Sequence, residues 1–440
     1  MIDIKDLRDN PDRYRQGASL KGVPVDIEAV LRLDEQRARA QREYERLKSE
    51  QNQLSQQIAK TRDPAERETL KSRAAAFKPQ LKEHEDAQAA AEAELLPLLL
   101  QIPQPPDPDV PAGKDARDNV VLYRWGAPRK FNFKPRSHIE LGEKLGILDF
   151  ARGVRLAGSR SYFLKGAGAE LHNAVLRLAM DMMVHEHRFT PLVVPVMVRE
   201  VAMRGTGFFP AGREQAYRVG EVTETGEDER FLTGTAEVAL TASEMPEKDE
   251  VKLTEADLPL KYTAVSTCFR REAGTYGKDT AGLYRVHQFD KCEQVVISRN
   301  DVEESKRLHK EMLGYSEELL QRLNLPYRVI QCCTGDIGVK NAAMFDIETW
   351  MPSRQQKDDP ESGYGETHSA SRLYEFQARR LKLRYKDKEG KIRFCHTLNN
   401  TVVASPRILI PIVENFQNED GSITVPEALR TYMHGREKIG

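Results

Sequence analysis

The sequence lacks the long apolar runs that mark membrane proteins. None of its apolar stretches approaches the roughly 20 residues that a membrane-spanning helix needs. Its first residues, from Met1 to Asp6, lack the basic-then-apolar pattern of a secretion signal. The five cysteines include no CxxC spacing, which argues against a disulfide framework and against a zinc site. These absences predict a cytoplasmic protein with reduced thiols, and no zinc is expected.

The sequence also lacks an excess of charge of either sign. With 67 basic and 68 acidic side chains, the formal net charge is −1. Bulk charge therefore gives no sign of a nucleic-acid partner, and any polyanion would have to meet a local cluster of cations. The length of 440 residues and the 39% of hydrophobic residues fit a globular protein of two or three domains.

Within the first hundred residues, two stripes of mostly apolar residues advance by alternating steps of four and three. This is the spacing of a coiled-coil seam. The first stripe comprises Leu33, Arg37, Ala40, Tyr44, Leu47, Gln51, Leu54 and Ile58, and the second Leu70, Ala74, Phe77, Leu81, His84, Gln88, Ala91 and Leu95. Between the stripes, Asp63 and Pro64 suit an N-cap and a first helical position. The pattern predicts an antiparallel hairpin, with Pro79 expected to kink the second helix or to interrupt its hydrogen bonding.

A proline-rich connector at residues 102–108 separates the hairpin from a remainder with the texture of a mixed α/β domain. Short runs of β-branched and aromatic residues predict strands at 191–196, 262–266 and 328–331. Helices are predicted at 171–187 and 407–417.

The segment 268–293 carries the densest chemistry. A strand is predicted to end near Arg270, a loop with three glycines follows over 273–282, and a return strand is predicted over 283–296. Because side chains alternate along a strand, one face of the return strand is predicted to carry Arg285, His287, Phe289, Lys291 and Glu293. Such a mixture is unusual in a hydrophobic core, because charged side chains are rarely buried without partners. It suits ligand binding, since arginines can bind phosphate, an aromatic ring can stack on a base and a glutamate can bind an amine or a hydroxyl. A half-exposed sheet with a salt-bridged face is the alternative.

The stretch from Phe269 to Phe289 (FRREAGTYGKDTAGLYRVHQF) resembles motif 2 of the class II aminoacyl-tRNA synthetases, in its seryl-tRNA synthetase form. Residues 396–407 (HTLNNTVVASPR) resemble motif 3, and residues 171–197 resemble motif 1. Residues 232–237 (LTGTAE) are similar to the family's serine-binding Thr-x-Glu segment, and residues 203–210 (MRGTGFFP) also fit. The resemblance covers nearly the whole chain.

The resemblance implies an α+β fold, in which an N-terminal antiparallel coiled-coil hairpin precedes a class II domain built on a mostly antiparallel sheet flanked by helices. It implies a tRNA-binding domain at 1–102 with an arm at about 30–98, a linker at 103–130 and a catalytic domain at 131–440. Motifs 1, 2 and 3 lie at about 171–197, 262–296 and 396–417. The implied enzyme is a homodimer that uses ATP and Mg²⁺ to make seryl-adenylate from L-serine. It passes the seryl group to the 3′ end of tRNA(Ser), with tRNA(Sec) as a further candidate acceptor.

For ATP, the resemblance implies positioning and charge rather than a nucleophile. Arg270 would bridge the serine carboxylate and the α-phosphate, and Arg285 would hold the γ-phosphate. Phe289 would stack on adenine with the Arg407 guanidinium on the opposite face, and Glu272 would contact the adenine amino group. The implied ATP-binding residues are Arg270, Glu272, Arg285, Val286, Phe289, Glu366, Ser369 and Arg407. Of these, the implied catalytic residues are Arg270, Arg285 and Arg407.

Glu366 and Ser369 match the family's metal ligands, and an oxygen-only pair suits Mg²⁺. Around them this chain reads ETHSASR over 366–372, where the family usually has Glu-x-Ser-Ser-Cys-x-Asn. His368 and Arg372 are therefore unexpected neighbours. Without the resemblance, Glu366 would be interpreted as a solvated loop carboxylate.

The implied serine-binding residues are Thr235, Glu237, Arg270, Glu293, Asn399 and Thr401. Glu293 would accept from the serine hydroxyl and Thr235 would lie near the ammonium, since a site that hydrogen-bonds a hydroxyl rejects analogues without it. Residues 399–401 are Asn-Asn-Thr where many relatives have Asn-Gly-Ser, which keeps a hydroxyl. Capping of the helix after Pro406 is the alternative role for Asn399 and Thr401.

Two clusters of cations could meet RNA phosphates and recognise shape more than sequence. The first, on the first arm helix, comprises Arg37, Arg39, Arg42 and Arg46 with Arg32 and Lys48, and the second comprises Arg129, Lys130, Lys134 and Arg136. A solvated coiled-coil face is the alternative for the first cluster. Two other functions compete with the enzyme: a synthetase-like binding or regulatory module, and a ligase that passes seryl-adenylate to a carrier protein. Retention of the motif residues argues against the first, and the arm argues against the second.

Overall fold

The computed structural model describes residues 1–220, 229–274, 281–359 and 361–440. The helices are α1 Ile4–Asp9, α2 Pro11–Leu20, α3 Ile27–Lys60, α4 Pro64–Leu99, α5 His138–Lys144, α6 Phe150–Ala157, α7 Ala167–Asp181, α8 Glu200–Gly205, α9 Glu237–Ala242, α10 Val302–Arg322, α11 Phe376–Leu381, α12 Leu409–Asn415 and α13 Glu427–Arg430. The strands are β1 Val120–Trp125, β2 Leu148–Asp149, β3 Phe163–Leu164, β4 Thr190–Pro191, β5 Met197–Arg199, β6 Tyr217–Val219, β7 Arg230–Leu232, β8 Leu253–Thr254, β9 Leu260–Phe269, β10 Gln288–Ser298, β11 Tyr327–Gln331, β12 Ala343–Trp350, β13 Tyr364–Tyr374, β14 Arg384–Lys386, β15 Ile392–Phe394, β16 His396–Ser405, β17 Ile423–Thr424 and β18 Lys438–Ile439.

The chain divides into two compact units. One comprises Ile2–Ser19 and Val23–Pro103, and the other comprises Met1, Leu20–Gly22 and Gln104–Gly440. Among the described residues, the first unit is helical and the second contains every strand. Strand β1 lies within the segment assigned to a linker, 103–130, and pairs with β11.

The helical unit contains the predicted hairpin. Helices α3 and α4 run antiparallel, and every residue of the two predicted stripes is buried or half-buried. The turn is specified as predicted, because the Asp63 carboxylate accepts from the Ala65 N–H at 2.8 Å and Pro64 begins α4. The coiled-coil arm is confirmed.

Pro79 does not end α4, which continues from Pro64 to Leu99. A proline inside a helix leaves the carbonyl four residues earlier without its usual donor. Here that carbonyl belongs to Ala75, and both residues are exposed. Water can therefore satisfy the carbonyl, and the seam on the opposite face of the helix is undisturbed.

The second unit is built on a sheet of eight strands in the order β1-β11-β12-β13-β16-β10-β9-β4. All neighbours are antiparallel except β4 and β9. Helices α7 and α10 pack against the central strand β16, and their apolar residues join one core with Val296, Leu398 and Val402. This arrangement confirms the predicted α+β class with a mostly antiparallel sheet.

Several predicted elements have different bounds in the structure. The strand expected over 191–196 is reduced to β4, and Val193 is fully exposed beyond it. The helix expected over 171–187 is α7 followed by a π-helical turn, Met182–Glu186. The strands expected over 262–266 and 328–331 are confirmed within β9 and β11. The helix expected over 407–417 is the shorter α12.

The return strand predicted over 283–296 begins only at Gln288. Residues 281–287 form no strand, and Gly282 among them has a φ of +76°. Arg285 and His287 are therefore positioned by a loop and not by strand alternation. Residues 275–280 of the motif 2 loop lie outside the described residues.

No helix of the described chain is both long and apolar enough to cross a membrane.

Candidate active site

A cavity of about 270 Å³ lies over the middle of the eight-stranded sheet. Its wall includes all the residues predicted to bind ATP or a metal, and all those predicted to bind serine except Glu293. They come from segments far apart in sequence: the start of α9 with the residues before it, the β9–β10 region, β13, and β16 with the residues after it. The sheet brings these segments together because β9, β10, β16 and β13 are consecutive neighbours in it.

Glu293 lies directly behind the cavity wall, with no exposed surface. Its Oε1 accepts from the Asn399 Nδ2 at 3.2 Å, and its Oε2 accepts from the Thr235 hydroxyl at 3.3 Å. The Lys291 ammonium forms an ion pair with the same carboxylate and donates to the Thr235 hydroxyl at 2.8 Å. Lys291 lines the cavity and was not predicted as a site residue, although strand alternation had placed it on the same face as Glu293.

A second buried ion pair in the cavity wall joins Glu237 to Lys340. The Glu237 carboxylate, on a residue that is 3% exposed, forms an ion pair with Lys340 and accepts from the Gln377 Nε2 at 2.7 Å. The Lys340 ammonium also lies 3.9 Å from the centre of the Phe208 ring. Lys340 and Phe208 line the cavity but were not predicted as site residues, because no motif links Lys340 to a glutamate 103 positions away.

Arg270 follows β9 directly and lines the cavity. Its Nη2 donates to the Gly234 carbonyl at 3.3 Å, and its guanidinium lies 5.2 Å from the centre of the Phe289 ring. Arg285 donates to the Glu272 carboxylate at 3.2 Å. Glu272 has a φ of +51°, the left-handed region that non-glycine residues seldom adopt. Glu272, which was predicted to contact adenine, and Arg285, which was predicted to hold the γ-phosphate, therefore form an ion pair with each other.

Arg407 lies against Tyr284, whose ring centre is 4.5 Å from the guanidinium. Its Nε donates to the Tyr284 carbonyl at 3.0 Å, and its Nη1 is 3.6 Å from the Glu366 carboxylate. The resemblance implied that Arg407 and Phe289 would stack on opposite faces of an adenine. In the structure, the aromatic ring that Arg407 contacts is that of Tyr284. Tyr284 also lines the cavity and was not predicted.

A β-bulge in β13 explains how Glu366 and Ser369 reach the same cavity. On a regular strand, residues three positions apart point to opposite faces. Here His368 pairs with Ile347 while Glu366 pairs with Glu348, so one residue, Thr367, is extra. The bulge changes the alternation, and both oxygen ligands line the cavity.

The two unexpected neighbours of the metal ligands are absent from the described cavity wall. His368 is 1% exposed, its Nδ1 lies 2.8 Å from the Thr367 hydroxyl, and burial lowers its pKa to about 3, so the ring is neutral near pH 7. Arg372 donates through Nε to the Asp107 carboxylate at 3.0 Å. Both side chains therefore have structural partners away from the metal ligands.

The donor atoms at this position suit Mg²⁺. Asp346, which pairs with Ser369 across the ladder, is buried, and its Oδ1 has no hydrogen-bond partner among the described residues. Burial and the nearby Glu366 charge raise the Asp346 pKa. The described residues include no group of three or more His, Cys, Asp or Glu side chains placed to hold a metal. One carboxylate and one hydroxyl therefore fit an ion that takes its other ligands from phosphate and water.

The predicted RNA-binding arginines of α3 differ in their surroundings. Arg37 is held by Asp34 at 2.8 Å, and Asp34 is buried and also pairs with Arg8 at 3.2 Å. Arg39, Arg42 and Arg46 are exposed. Arg46 lies 2.9 Å from the Glu43 carboxylate within its own helix. In the second predicted cluster, Arg129 donates to the Asn415 carbonyl at 2.8 Å.

Two family models match this chain, one in its N-terminal part and one in its second half. Residues 1–106 match the family model of the seryl-tRNA synthetase N-terminal domain, and residues 217–416 match that of the tRNA synthetase class II core domain for G, H, P, S and T. The chain is 43% identical to a serine–tRNA ligase of Deinococcus radiodurans over 447 aligned positions, covering 100% of this chain and 99% of the relative.

Two solved structures are similar over almost the full length. One is the crystal structure of the seryl-tRNA synthetase from Pyrococcus horikoshii complexed with ATP, with a TM-score of 0.88, 34% identity and coverage of 100% of this chain and 99% of that one. The other is the cytoplasmic serine–tRNA ligase from Naegleria fowleri in complex with AMP, with a TM-score of 0.84, 30% identity and coverage of 98% and 95%.

Proposed function

Because the chain belongs to the seryl-tRNA synthetase family, we propose that the cavity over its sheet is the place where serine and ATP react. The enzyme is an ATP-dependent serine–tRNA ligase. The observation that carries the proposal is the composition of one cavity wall, which unites Arg270, Arg285 and Arg407 with the hydroxyl and acidic groups expected for an amino acid.

The chemistry requires charge compensation more than a protein nucleophile. An oxygen of the serine carboxylate attacks the α-phosphorus of ATP, the bond to the β-phosphate oxygen breaks, and pyrophosphate leaves. Negative charge gathers on the phosphates, and preorganised cations stabilise it. Arg270 lies between the Thr235–Gly234 segment and Phe289, so it can orient the carboxylate against the α-phosphate. Arg285 and Arg407 hold the other phosphates, and Val286 and Phe289 receive the base.

We propose that Glu366 and Ser369 hold Mg²⁺. Their oxygen atoms and their joint position on the cavity wall support this assignment. An ion held by these two residues would neutralise phosphate charge. Arg407, 3.6 Å from Glu366, orients that carboxylate and remains within reach of phosphate.

The two buried ion pairs surround the amino-acid end of the cavity. Glu293 is held from three sides by Lys291, Thr235 and Asn399, which fixes the carboxylate that we assign to the serine hydroxyl. Glu237 and Thr401 complete the wall. A preformed acceptor of this kind favours serine over an analogue without the hydroxyl, because only serine can donate a further hydrogen bond to it.

We assign residues 1–102 to tRNA binding through the arm at about 30–98, 103–130 to a linker and 131–440 to catalysis. The exposed cations Arg39, Arg42 and Arg46 on α3 are the groups proposed to meet the phosphates of tRNA(Ser). Arg37 completes the set, although its guanidinium is shared with Asp34. We propose tRNA(Sec) as a second acceptor that receives the same seryl group.

We further propose that the enzyme acts in the cytoplasm as a homodimer formed through the motif 1 region, 171–197. The support is exposed apolar surface there, since Val193 is fully exposed and Met197 is about half exposed.

The test is serine-dependent exchange between ATP and pyrophosphate, measured with each amino acid in turn and followed by charging of total tRNA. We expect exchange with serine and charging of tRNA(Ser). No exchange with any amino acid would favour the regulatory module. Exchange without charging would favour a ligase that uses a carrier protein.

A further inference from the structure

The segment that presents Arg285 to the cavity is held by a buried histidine. Tyr284, Arg285 and Val286 all line the cavity, although their segment forms no strand. A backbone without ladder hydrogen bonds must find its partners among side chains or water. Here the Leu283 N–H donates to the Nε2 atom of His138 at 3.2 Å. His138 is the first residue of α5 and is not part of the described cavity wall.

The two neighbours of the His138 ring select one arrangement of its proton. His138 is 7% exposed, and its Nδ1 lies 2.8 Å from an oxygen of the Glu414 carboxylate. That oxygen is an acceptor, since it also accepts from the His138 backbone N–H at 2.9 Å. Nδ1 therefore carries the ring proton, and Nε2 keeps the lone pair that the Leu283 N–H requires. A neutral imidazole supplies one donor and one acceptor, and both are used here.

Glu414 also connects to the same segment by a second route. It has no exposed surface, and its carboxylate accepts from the Ser353 N–H at 2.9 Å and from the Ser353 hydroxyl at 2.7 Å. The guanidinium of the next residue, Arg354, lies 4.3 Å from the centre of the Tyr284 ring. The buried carboxylate thus fixes both the His138 ring and the residues that pack against Tyr284.

Close approach of the segment to the ring depends on a glycine. A Cβ added at Gly282 would lie 2.3 Å from the His138 Nε2, which is too short for a real contact. Gly282 also has a φ of +76°, a conformation that glycine adopts without strain. The Leu283 N–H can therefore meet the ring because residue 282 has no side chain.

These contacts give His138 a part in nucleotide binding although it is not placed to touch a substrate. The segment after Leu283 carries Arg285, assigned to the γ-phosphate, and Val286, assigned to the base, whereas none of the groups assigned to serine belongs to it. We propose that His138 is a positioning residue for ATP, whose Nε2 holds the Leu283 N–H and so fixes Arg285 at the cavity; this rests on the proposed function of the cavity. Loss of the contact is expected to weaken ATP binding and to spare serine.

The test uses two amides that replace different nitrogens of the ring. The asparagine amide lies where Nδ1 lies and can still donate to Glu414, but no atom takes the place of Nε2. The glutamine amide reaches the position of Nε2, where its oxygen can accept from the Leu283 N–H. His138→Asn is expected to raise the Kd for ATP, measured by calorimetry on the full chain, by about 10-fold. His138→Gln is expected to keep this Kd within about 3-fold of that of the unsubstituted enzyme.

The KM for serine, measured by ATP–pyrophosphate exchange at saturating ATP, is expected to stay within about 2-fold in both variants. His396→Asn is the matched control and should change neither value. His396 is a buried histidine outside the described cavity wall, and its Nδ1 lies 2.8 Å from the Ser305 hydroxyl. Thermal unfolding checks that each variant is folded.

An unchanged Kd for ATP in His138→Asn, with or without a lower Tm, would show that the histidine only stabilises the fold and would overturn the inference. Equal weakening of ATP binding by both amides, or a parallel rise in the KM for serine, would also overturn it. If His138→Asn does not fold, Gly282→Ala displaces the ring instead, and an unchanged Kd for ATP there has the same meaning. Should the unsubstituted enzyme bind ATP without serine-dependent exchange, the proposed function fails while the Kd values for ATP still decide this inference; no binding of ATP at all overturns both.

Discussion

At the scale of single residues, two buried pairs of opposite charge organise the part of the cavity that we propose to bind serine. Lys291 neutralises Glu293 and Lys340 neutralises Glu237. Removing one member of a buried pair leaves an uncompensated charge and costs roughly 3–5 kcal/mol.

Arg270 is the residue whose loss should affect adenylation most. Arg270→Ala is expected to lower serine-dependent ATP–pyrophosphate exchange by a factor of about 100 or more, because the cation that orients the carboxylate against the α-phosphate is removed. Arg271→Ala is the matched control, since Arg271 is the exposed neighbour and lies outside the described cavity wall. Similar exchange rates in the two variants would contradict the role given to Arg270.

Lys21 predicts a pH dependence of stability. Burial lowers the pKa of its ammonium from 10.5 to about 7, so between these values the unfolded chain binds more protons than the folded chain. The contribution of Lys21 to the free energy of unfolding is therefore lowest below about pH 7 and increases as the pH rises toward 10.5.

Lys21→Met removes this titration. Thermal unfolding is measured at about pH 6.5 and about pH 9.5, which span most of the range between the two pKa values. The difference in Tm between the unsubstituted enzyme and the variant is expected to be larger, in favour of the unsubstituted enzyme, at the higher pH. Lys5→Met, at an exposed lysine, serves as the control and should show no such trend. A Tm difference that stays constant across this range would show that Lys21 does not titrate there.

At the scale of elements, β13 and the α3–α4 hairpin illustrate opposite kinds of specification. The hairpin follows from its local pattern, because seam spacing, the Asp63 cap and Pro64 each act within a few residues. The β13 bulge depends on how β12 pairs with it, and nothing in the run ETHSASR identifies Thr367 as the extra residue. The hairpin was therefore predictable in detail, whereas the orientation of Glu366 and Ser369 was not.

The arm should be dispensable for adenylation and required for efficient transfer to tRNA. Deleting residues 32–98 is expected to leave serine-dependent exchange within about twofold and to lower tRNA charging by about tenfold or more, because the exposed arginines that meet phosphates are removed. A triple substitution of Arg39, Arg42 and Arg46 by glutamate tests the same surface with the arm intact. Equal charging by the deleted and full chains would show that the arm serves another purpose.

At the scale of the whole molecule, the proposed homodimer would cover apolar surface that the single chain leaves open. Light scattering is expected to give a mass twice that of one chain. Val193→Arg should shift this mass toward the monomer, because a charge would be buried at the contact. Val302→Arg, at an exposed valine of α10, is the control and should leave the mass unchanged. A fully active monomer would refute the dimer.

The sequence by itself determined the coiled-coil arm, the order of the motifs and the membership of the family. These depend on periodicity and on contiguous runs of residues, which act locally. It also identified half of the residues of the cavity wall, since the motifs carry them. For the same reason its errors lay at element ends, as at 191–196 and 283–287, where pairing with distant strands decides the outcome.

Only the tertiary structure decided which groups surround those residues. The ion pair between Glu237 and Lys340 and the hydrogen bond from Asn399 to the buried Glu293 both join segments distant in the chain. Each depends on strand register and on the packing of loops against the sheet. A linear pattern does not encode these distances, because the free energy that fixes them is shared among many long-range contacts.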